Sequence, residues 1–524
     1  MLILWIFQRI DELHDIGYNR TISMMDSIKS RIRRRINFDN IRLRRMVYRS
    51  NLPELRFKNI IIDGANPQQQ VYIKKEFHKS DNKEFTYEDL KQGYFRLLSD
   101  KMISEIIPHA IYNPEDDTYD LHLKVKLENN FAVRLGGNIS TSNSNQIYLG
   151  LSYQDLNYYA KEFILDGQLG KVYNNVQFMA KIDFATAIPT SYRLIGSIST
   201  FDYFKKDKLF SRNNKPAFNQ KDERFLKLQV GLPFLSSKRA EFGIGIAKIE
   251  DKYFQKSVID FGNDKFDKSR YDLFGGSISF NGSTLNSRQY PTRGYREALV
   301  AQIFVGKERF YPGEGTTGSN NKEHHSWLQL SYMKEKYHNM SEHWVLGWYL
   351  KALYASKNFS ENYTATMMQA GEFSPTLHSK MTYNEAFRAN QFVSAGIRPV
   401  YRLNQMFHLR GELYGFMPIY PIERNSLNKA YYGKAFSKFE YLGEISIVCQ
   451  LPFGDISAYV NHYSSPKREW NVGLSIGWQL FNYRFIEYFS TKKTLKCLLI
   501  REKSVSLHPL KQNNGRVAQL NRSS

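Results

Sequence analysis

Apolar and polar residues alternate along the segment from Phe131 to Leu156. Every second position is apolar or glycine in the first half, and the pattern resumes after a polar turn: Phe131, Val133, Leu135, Gly137, Ile139, then Ile147, Leu149, Leu151 and Tyr153. A period of two with one apolar face predicts half-buried β-strands. Since the other face is rich in Gly and Ser, which suits a polar lumen, we expect the apolar face to point outward into hydrocarbon.

The same alternating hairpin recurs as far as Phe485, in strands of roughly ten residues. About sixteen strands are predicted, beginning near residues 131, 146, 161, 175, 191, 223, 239, 270, 294, 325, 343, 391, 405, 437, 455 and 470. Long polar connections such as 204–221 and 356–389 alternate with short ones such as 157–159 and 451–454. Short turns on one side and long loops on the other predict a transmembrane antiparallel β-barrel over residues 130–489.

Composition and charge narrow the expected partners. Aromatic residues make up 15% of the chain, which fits a barrel with aromatic girdles, and no apolar run is long enough for a membrane-spanning helix. Of the formal net charge of +22, residues 1–50 contribute +6 (11 Lys and Arg against 5 Asp and Glu) and residues 490–524 contribute +7 (8 against 1). Because so much of the excess lies outside the repetitive body, we expect membrane lipid and no nucleic acid as a partner.

Two different patterns precede the barrel. Residues 1–50 place apolar side chains at helical spacing beside an arginine-rich stretch, which predicts a helical segment. Residues 51–129 predict a small α+β domain in the order β-α-α-β-β, with elements at Leu55–Ile62, Gln68–Phe77, Tyr87–Leu98, Ile103–Tyr112 and Tyr119–Leu127.

This small domain resembles a POTRA domain, the periplasmic module that precedes the barrel in the bacterial surface antigen superfamily of BamA/TamA-type proteins. Phe57–Gly64 looks like its first strand and turn, and Tyr94–Leu97 is similar to the POTRA domain of one branch. In that branch a patatin-type lipase domain comes first, and residues 11–36 are similar to the end of that domain. The resemblance implies that residues 1–50 are a helical remnant or linker of a missing patatin-type domain.

Residues 290–294, Tyr-Pro-Thr-Arg-Gly, are similar to the Phe-Pro-Thr-x-Gly signature found before a strand in this superfamily. The resemblance makes Tyr290, Pro291 and Gly294 candidates for a barrel turn motif.

The loop at 356–389 would be the sixth external loop, which in this superfamily folds back into the lumen and carries an Arg-Gly-aromatic tip. This chain has Phe387-Arg388-Ala389 instead. A guanidinium in a confined lumen needs a carboxylate partner, so Arg388 could reach an acid on the inner wall such as Glu412 or Glu444. The alternative is an arginine in solvent at the surface of the loop.

The last strand is predicted from Trp470 to Phe485, with Trp478 and Leu480 on the outward face. Phe485 partly resembles the aromatic end of the C-terminal signal of outer-membrane barrels. Residues 490–524 are basic and lack alternation, so we expect that tail to be disordered.

Two patterns imitate a patatin-type Ser–Asp dyad. Ser475 lies in Gly-Leu-Ser-Ile-Gly, but within an alternating strand and not in a strand-to-helix turn, and Asp63 ends a strand of the small domain. His324, His325 and His343 lie in a loop and the adjacent strand start, without a carboxylate at ligand spacing, and are interpreted as solvent-exposed histidines of an external loop. We predict no catalytic, metal-binding or cofactor-binding residues in this chain.

The resemblance implies a translocator or anchor half of a patatin-like phospholipase protein, placed in the outer membrane of a Gram-negative bacterium. Its expected partners are outer-membrane lipid, the barrel assembly machinery and the upstream patatin-type domain. Since residues 1–7 do not form a signal peptide, we interpret the chain as the downstream part of a longer protein. Two alternatives stay open: an assembly factor for other outer-membrane proteins, and a lipid acyl hydrolase active in this chain.

Overall fold

The structure is a computed structural model that describes most of the chain. The described residues are 10–32, 37–50, 55–77, 84–142, 144–185, 188–203, 219–234, 238–255, 265–313, 321–452, 454–465, 470–481, 484–486 and 498–500.

Three helices come first along the chain. They are α1 (Ile10–Ser23), α2 (Met25–Arg31) and α3 (Phe38–Ser50), as the helical spacing of residues 1–50 predicts. No helix among the described residues has the length and apolar character needed to cross a membrane.

A small sheet follows, with two helices between its strands. In chain order the elements are β1 (Arg56–Asp63), α4 (Pro67–Lys75), β2 (Phe85–Thr86), α5 (Tyr87–Ser99), β3 (Ile103–Asn113) and β4 (Thr118–Leu127). The strand order in the sheet is β2-β1-β4-β3. The predicted order of elements lacks only β2, whose two residues are too few to show an alternating pattern.

The chain divides into two compact units, of which one comprises 1–61, 83–88 and 109–122 and the other 62–82, 89–108 and 123–524. Within the first unit, the ring of Phe57 stacks on that of Phe85, with 5.4 Å between the centroids. Within the second unit, Ile73 of α4 and Leu97 of α5 are buried.

A closed antiparallel barrel of sixteen strands occupies most of the second unit. Its strands are β5 (Phe131–Ser140), β6 (Gln146–Leu156), β7 (Ala160–Gly170), β8 (Tyr173–Phe184), β9 (Thr190–Asp202), β10 (Asn219–Pro233), β11 (Lys238–Tyr253), β12 (Asp267–Ser283), β13 (Gly294–Tyr311), β14 (Asn321–Asn339), β15 (Trp344–Ala355), β18 (Gln391–Arg402), β19 (Phe407–Pro418), β22 (Glu440–Leu451), β23 (Gly454–Tyr463) and β24 (Trp470–Gly477). The predicted barrel is confirmed, and the largest errors in a strand start are four residues, at β10 and β14.

The connections carry the remaining elements. They are helix α6 (Tyr363–Gln369), strands β16 (Gly371–Glu372) and β17 (Arg388–Ala389), 3₁₀ turns at Ser379–Met381 and Glu385–Phe387, and the small hairpin of β20 (Ile422–Arg424) and β21 (Ala430–Tyr432).

Side chains sort by parity along each strand. In β6, Leu149 is 47% exposed on the outer surface, whereas the adjacent Tyr148 is 1% exposed and points inward. In β5, Leu135 and Ile139 are exposed, whereas Arg134 and Asn138, the residues that precede them, are buried. Because the exposed apolar positions recur around the barrel, its outer surface is a broad apolar belt, which favours contact with hydrocarbon.

The predicted extent of the last strand is wrong. Strand β24 ends at Gly477, and Trp478 and Leu480 are buried against the inward-facing Tyr148 and do not continue the outer face. Gly477 has φ of +118°, a conformation that L side chains rarely adopt, and this residue redirects the chain into the lumen.

The expected disorder of residues 490–524 concerns positions outside the described residues, with one exception. Leu498–Ile500 form a short strand, β25, which pairs with β5.

Because Leu149 points outward, the assignment of lipid-facing and lumen-facing positions along β6 can be tested. Leu149→Arg should lower insertion, since an arginine on the lipid face costs about 2–4 kcal/mol near the bilayer centre. Ser152→Arg, on the inward face of the same strand, is the matched control and should insert like the parent chain. The folded fraction in phosphatidylcholine vesicles, read from heat-modifiable gel mobility, measures both variants, and equal insertion would contradict the face assignment.

Candidate functional site in the barrel lumen

The connection between β15 and β18, residues 356–390, folds against the inner wall and is called the lumenal loop below. Asn362 donates from Nδ2 to the Tyr253 hydroxyl over 2.7 Å, and Gln369 donates from Nε2 to a carboxylate oxygen of Asp251 over 2.5 Å. Both wall residues lie on β11 and are fully buried. The loop therefore occupies the lumen by hydrogen bonding to the polar inward face of the barrel.

Arg388 lies in this loop and is 6% exposed. Its guanidinium lies 2.7 Å from Glu372 Oε2, and it donates to the carbonyl oxygens of Met368 and Ala370 over 3.4 and 3.3 Å. The predicted partners Glu412 and Glu444 are wrong. The reason is local: β16 and β17 pair Glu372 directly with Arg388, so the carboxylate comes from the same loop.

The two wall acids have other partners. Glu412 pairs with Arg410 on its own strand and lies 3.6 Å from the Nε of Arg398. Glu444 lies 2.9 Å from Nδ1 of His378, which belongs to the lumenal loop. A wall acid thus meets the loop at His378 and not at Arg388.

A chain of paired charges, of which Glu335 and Arg398 are buried and Arg296 is half-buried, crosses the inner wall from β13 to β18. Glu335, 2% exposed in its side chain, pairs with Arg296 over 2.7 Å and also binds the guanidinium of Arg398. Arg398 further donates to the hydroxyl groups of Tyr337 and Tyr414, over 2.8 and 2.5 Å. These charges are mutually satisfied, as burial of ionised groups requires.

The turn between β12 and β13, residues 284–293, also reaches the inner wall. The Tyr290 hydroxyl donates to Ser457 Oγ over 2.9 Å, and Arg410 donates to the carbonyl oxygen of Pro291 over 2.8 Å. Gly294 begins β13 with φ of +93°, where an added Cβ would lie 2.3 Å from the Thr284 carbonyl oxygen. The three residues of the proposed turn motif are thus used to hold this turn against the barrel wall.

Residues 478–481 and 484–486, called the inward segment below, also lie in the lumen. Phe485 is 3% exposed and lies near Phe225 and Phe304, with ring centroids 5.9 and 5.8 Å away. A Cβ on Gly245 or Gly275 would approach the Phe485 ring to 3.0 or 3.2 Å. The ring is therefore seated in a notch that two glycines leave in the wall, and Phe485 is a lumen residue, not the end of an outer strand.

The first and last strands form a narrow seam. Within the described residues, β24 and β5 share three residue pairs, Ser475 with Ser140, Ile476 with Ile139 and Gly477 with Asn138. The β23–β24 pair next to it has eight. Past Gly477 the chain leaves the wall, and β25 supplies the next three pairs on this edge of β5.

Ser475 does not form a catalytic arrangement with the described residues. It lies on β24, and its hydroxyl donates to Asn138 Oδ1 over 2.7 Å, a contact between two strands of the seam. The extended strand is the opposite of the sharp turn that exposes a nucleophile.

The interpretation of His325 as a loop residue is wrong. It faces inward on β14, and its Nε2 lies 2.8 Å from a carboxylate oxygen of the buried Glu308 on β13.

Glu308, Glu323 and His325 bring potential ligand atoms within 4.8 Å of one another. Glu308 also accepts a hydrogen bond from the Tyr271 hydroxyl, so hydrogen bonding already accounts for its placement. Alternation on β13 and β14 could have identified the inward pair, but the pairing register was needed to bring the two together.

Removal of one charge tests the buried network. Glu335→Gln should destabilise the barrel by about 3–5 kcal/mol, because the buried Arg398 would lose the carboxylate that it shares with the half-buried Arg296. The measurement is the urea dependence of unfolding in detergent micelles. Glu342→Gln, at an exposed position in the turn after β14, is the control. A similar midpoint for both variants would contradict the role given to Glu335.

Comparison with known proteins bears on the fold. No protein-family model matches the chain, and no curated protein matches it. Among solved structures, BamA from Haemophilus ducreyi lacking POTRA domains 1–3 is similar, with a TM-score of 0.55 and 12% identity over 81% of this chain and 84% of that chain.

Two CdiB structures also align with 81% of this chain. CdiB from Acinetobacter baumannii has a TM-score of 0.48, 9% identity and 74% of its own length covered. CdiB from Escherichia coli has a TM-score of 0.46, 10% identity and 77% covered. The architecture is thus a closed sixteen-stranded barrel of the kind seen in BamA.

Proposed function

We propose that this chain is an outer-membrane barrel of a Gram-negative bacterium that serves as the translocator or anchor of a patatin-type lipase domain. In this proposal residues 51–129 form a POTRA-like periplasmic domain and residues 1–50 link it to the lipase. The chain itself carries the lipase and does not perform its chemistry.

The observation that carries this proposal is the order of elements along the chain. Helices α1 to α3, then a small sheet with two helices, then a sixteen-stranded barrel follow one another as the resemblance implies. Ile16, Ile22 and Ile28 of the first helices are 56%, 49% and 38% exposed. An attached domain would cover such apolar side chains.

The small sheet supplies a docking edge. Strand β3 is the last strand in the sheet order, so one side of its backbone has no neighbouring strand among the described residues. An extended segment of a client can add to such an edge through main-chain hydrogen bonds. Pro108 lies in β3, and proline is tolerated on edge strands because they need fewer ladder hydrogen bonds.

Depletion of the protein in its host tests the proposal. Patatin-type hydrolase activity at the cell surface should fall, measured on intact cells with a phospholipid that does not cross the membrane. The amounts of other outer-membrane barrels should stay the same. Unchanged surface hydrolase activity would contradict the proposal.

The narrow seam favours a second candidate, an insertion factor for other outer-membrane proteins. Three residue pairs between β5 and β24 and three between β5 and β25 are a small number to break, and opening them would expose strand edges to a client strand. Under this candidate, depletion lowers the amounts of other barrels and leaves surface hydrolase activity unaffected.

A disulfide bond across the seam distinguishes the two candidate functions experimentally. Ile139 and Ile476 are Cα partners, and directly opposed residues of antiparallel strands come close enough for a disulfide. In a chain with Cys449 and Cys497 replaced by serine, Ile139→Cys with Ile476→Cys should leave hydrolase display within about twofold of the parent, because passage through the lumen or simple anchoring does not need the seam.

The matched control is Ile139→Cys alone, compared with and without reductant. Each variant is expressed in cells depleted of the parent protein. If the oxidised double variant fails to reverse the effect of depletion, and reductant restores its ability to do so, this result would contradict the translocator role and favour insertion at the seam.

A further inference from the structure

Helix α3 (Phe38–Ser50) leaves large apolar side chains in solvent. Phe38, Met46 and Tyr48 are 73%, 57% and 68% exposed, so the helix buries little of its apolar surface within the protein. Removing such side chains from water is favourable, and exposed groups of them are typical of interaction surfaces. Helix α3 therefore presents a surface that a partner can cover.

The same helix is strongly basic. Its thirteen residues include four arginines and one acid, Asp39, which gives a formal charge of +3. Arg42, Arg44 and Arg45 are exposed, and within the part of the chain that the structure describes none of the three has an ion-pair partner. Exposed cations that no acid neutralises attract negative charge, so the partner of α3 should be anionic.

Helical geometry brings the two kinds of side chain together. With 3.6 residues per turn, Phe38, Arg42, Arg45 and Met46 fall within about 100° of the helix circumference. Asp39 follows Phe38 directly and so lies about 100° from it around the axis. Arginine and apolar side chains thus share one stripe, and the acid lies outside it.

A membrane surface with anionic phospholipid matches this stripe. The headgroup layer supplies phosphate oxygens that a guanidinium binds with two parallel donors, and the acyl boundary beneath it accepts apolar and aromatic side chains. The aliphatic stem of arginine can lie along the apolar layer while its charged end stays among the headgroups. One surface therefore satisfies both properties of α3.

The connectivity of the chain favours this partner. The barrel holds the chain in a membrane, and α3 is tethered to that barrel through the small domain. Tethering raises the effective concentration of the membrane surface for α3, so weak contacts are enough for binding.

We propose that α3 lies in the plane of the membrane surface, with anionic phospholipid headgroups bound by Arg42 and Arg45 and with Phe38 and Met46 at the acyl boundary. The helix then holds the chain that precedes the small domain at the membrane. The proposal rests on the proposed outer-membrane location of the barrel and does not depend on a lipase domain.

The test uses the full-length chain with Cys449 and Cys497 replaced by serine and with Met46→Cys labelled by an environment-sensitive fluorophore. The protein is refolded into vesicles of phosphatidylcholine, with or without phosphatidylglycerol, and heat-modifiable gel mobility measures barrel insertion in both. The anionic vesicles should shift the emission to shorter wavelength and allow quenching by lipids brominated on their acyl chains. About 1 M salt should reverse the shift, because it reduces the Debye length to ~3 Å.

Charge variants of α3 test the role of the arginines. Arg42→Gln with Arg45→Gln should lower the ratio of bound to free helix about fivefold for each cation removed from the anionic surface. Arg42→Lys with Arg45→Lys keeps both charges and should retain most of the binding. The matched control is Lys124→Gln with Lys126→Gln, which removes two charges at exposed positions of β4.

A shift that requires phosphatidylglycerol, and that only the glutamine pair in α3 abolishes, supports the proposal. Emission that phosphatidylglycerol leaves unchanged around a folded barrel would overturn it, whether α3 stays in solvent or is covered by protein. Equal loss in the β4 control would also overturn it, because the attraction would then belong to the whole chain. Failure of the barrel to insert into either vesicle would contradict the membrane location, and this proposal with it.

Discussion

Hydrocarbon cannot hydrogen-bond, and this constraint governs the molecule. Every peptide group in an apolar belt must pair within the protein, which a sheet achieves only by closing on itself. The antiparallel ladder runs from β5 to β24 and returns to β5 through the seam. Alternation then follows, because the pleat sends apolar side chains such as Leu149 outward and polar ones such as Arg134 inward.

Closure of the barrel also encloses the polar and charged groups of the inward face away from bulk solvent. These groups therefore need partners within the protein. The lumenal loop, the turn at 284–293 and the inward segment supply partners for many of these groups. Where wall residues neutralise one another, as Glu335 does with Arg296 and Arg398, the lumen is internally balanced.

The strands could be predicted because their signal is local. Alternation and loop length locate the start of β13 at Gly294 and of β24 at Trp470 without any knowledge of neighbours. The small domain was similarly accessible, apart from the two-residue β2. The inward turn after Gly477 could not be read in the same way, since Trp478 and Leu480 continue the alternating pattern although the chain has left the sheet.

Partners inside the lumen depend on register and on contacts between distant segments. Arg388 was expected to seek an acid on the wall, yet a two-residue ladder gives it Glu372 from its own loop. His325 gains its carboxylate from Glu308 on the neighbouring strand, a pairing that sequence spacing does not display. Charge and polarity indicated that such residues need partners, and only the fold identifies which partners they have.

The position of Phe485 has a consequence for the order of assembly. Its ring rests against Gly245 and Gly275, which are far from it in sequence, so this contact forms only after β11 and β12 are in place. Bringing such distant segments together is slow, because the chain loses conformational entropy before the contact begins to stabilise the structure. The filling of the lumen by this segment is therefore a late event in folding, and solvent protection of Phe485 would report a completed wall.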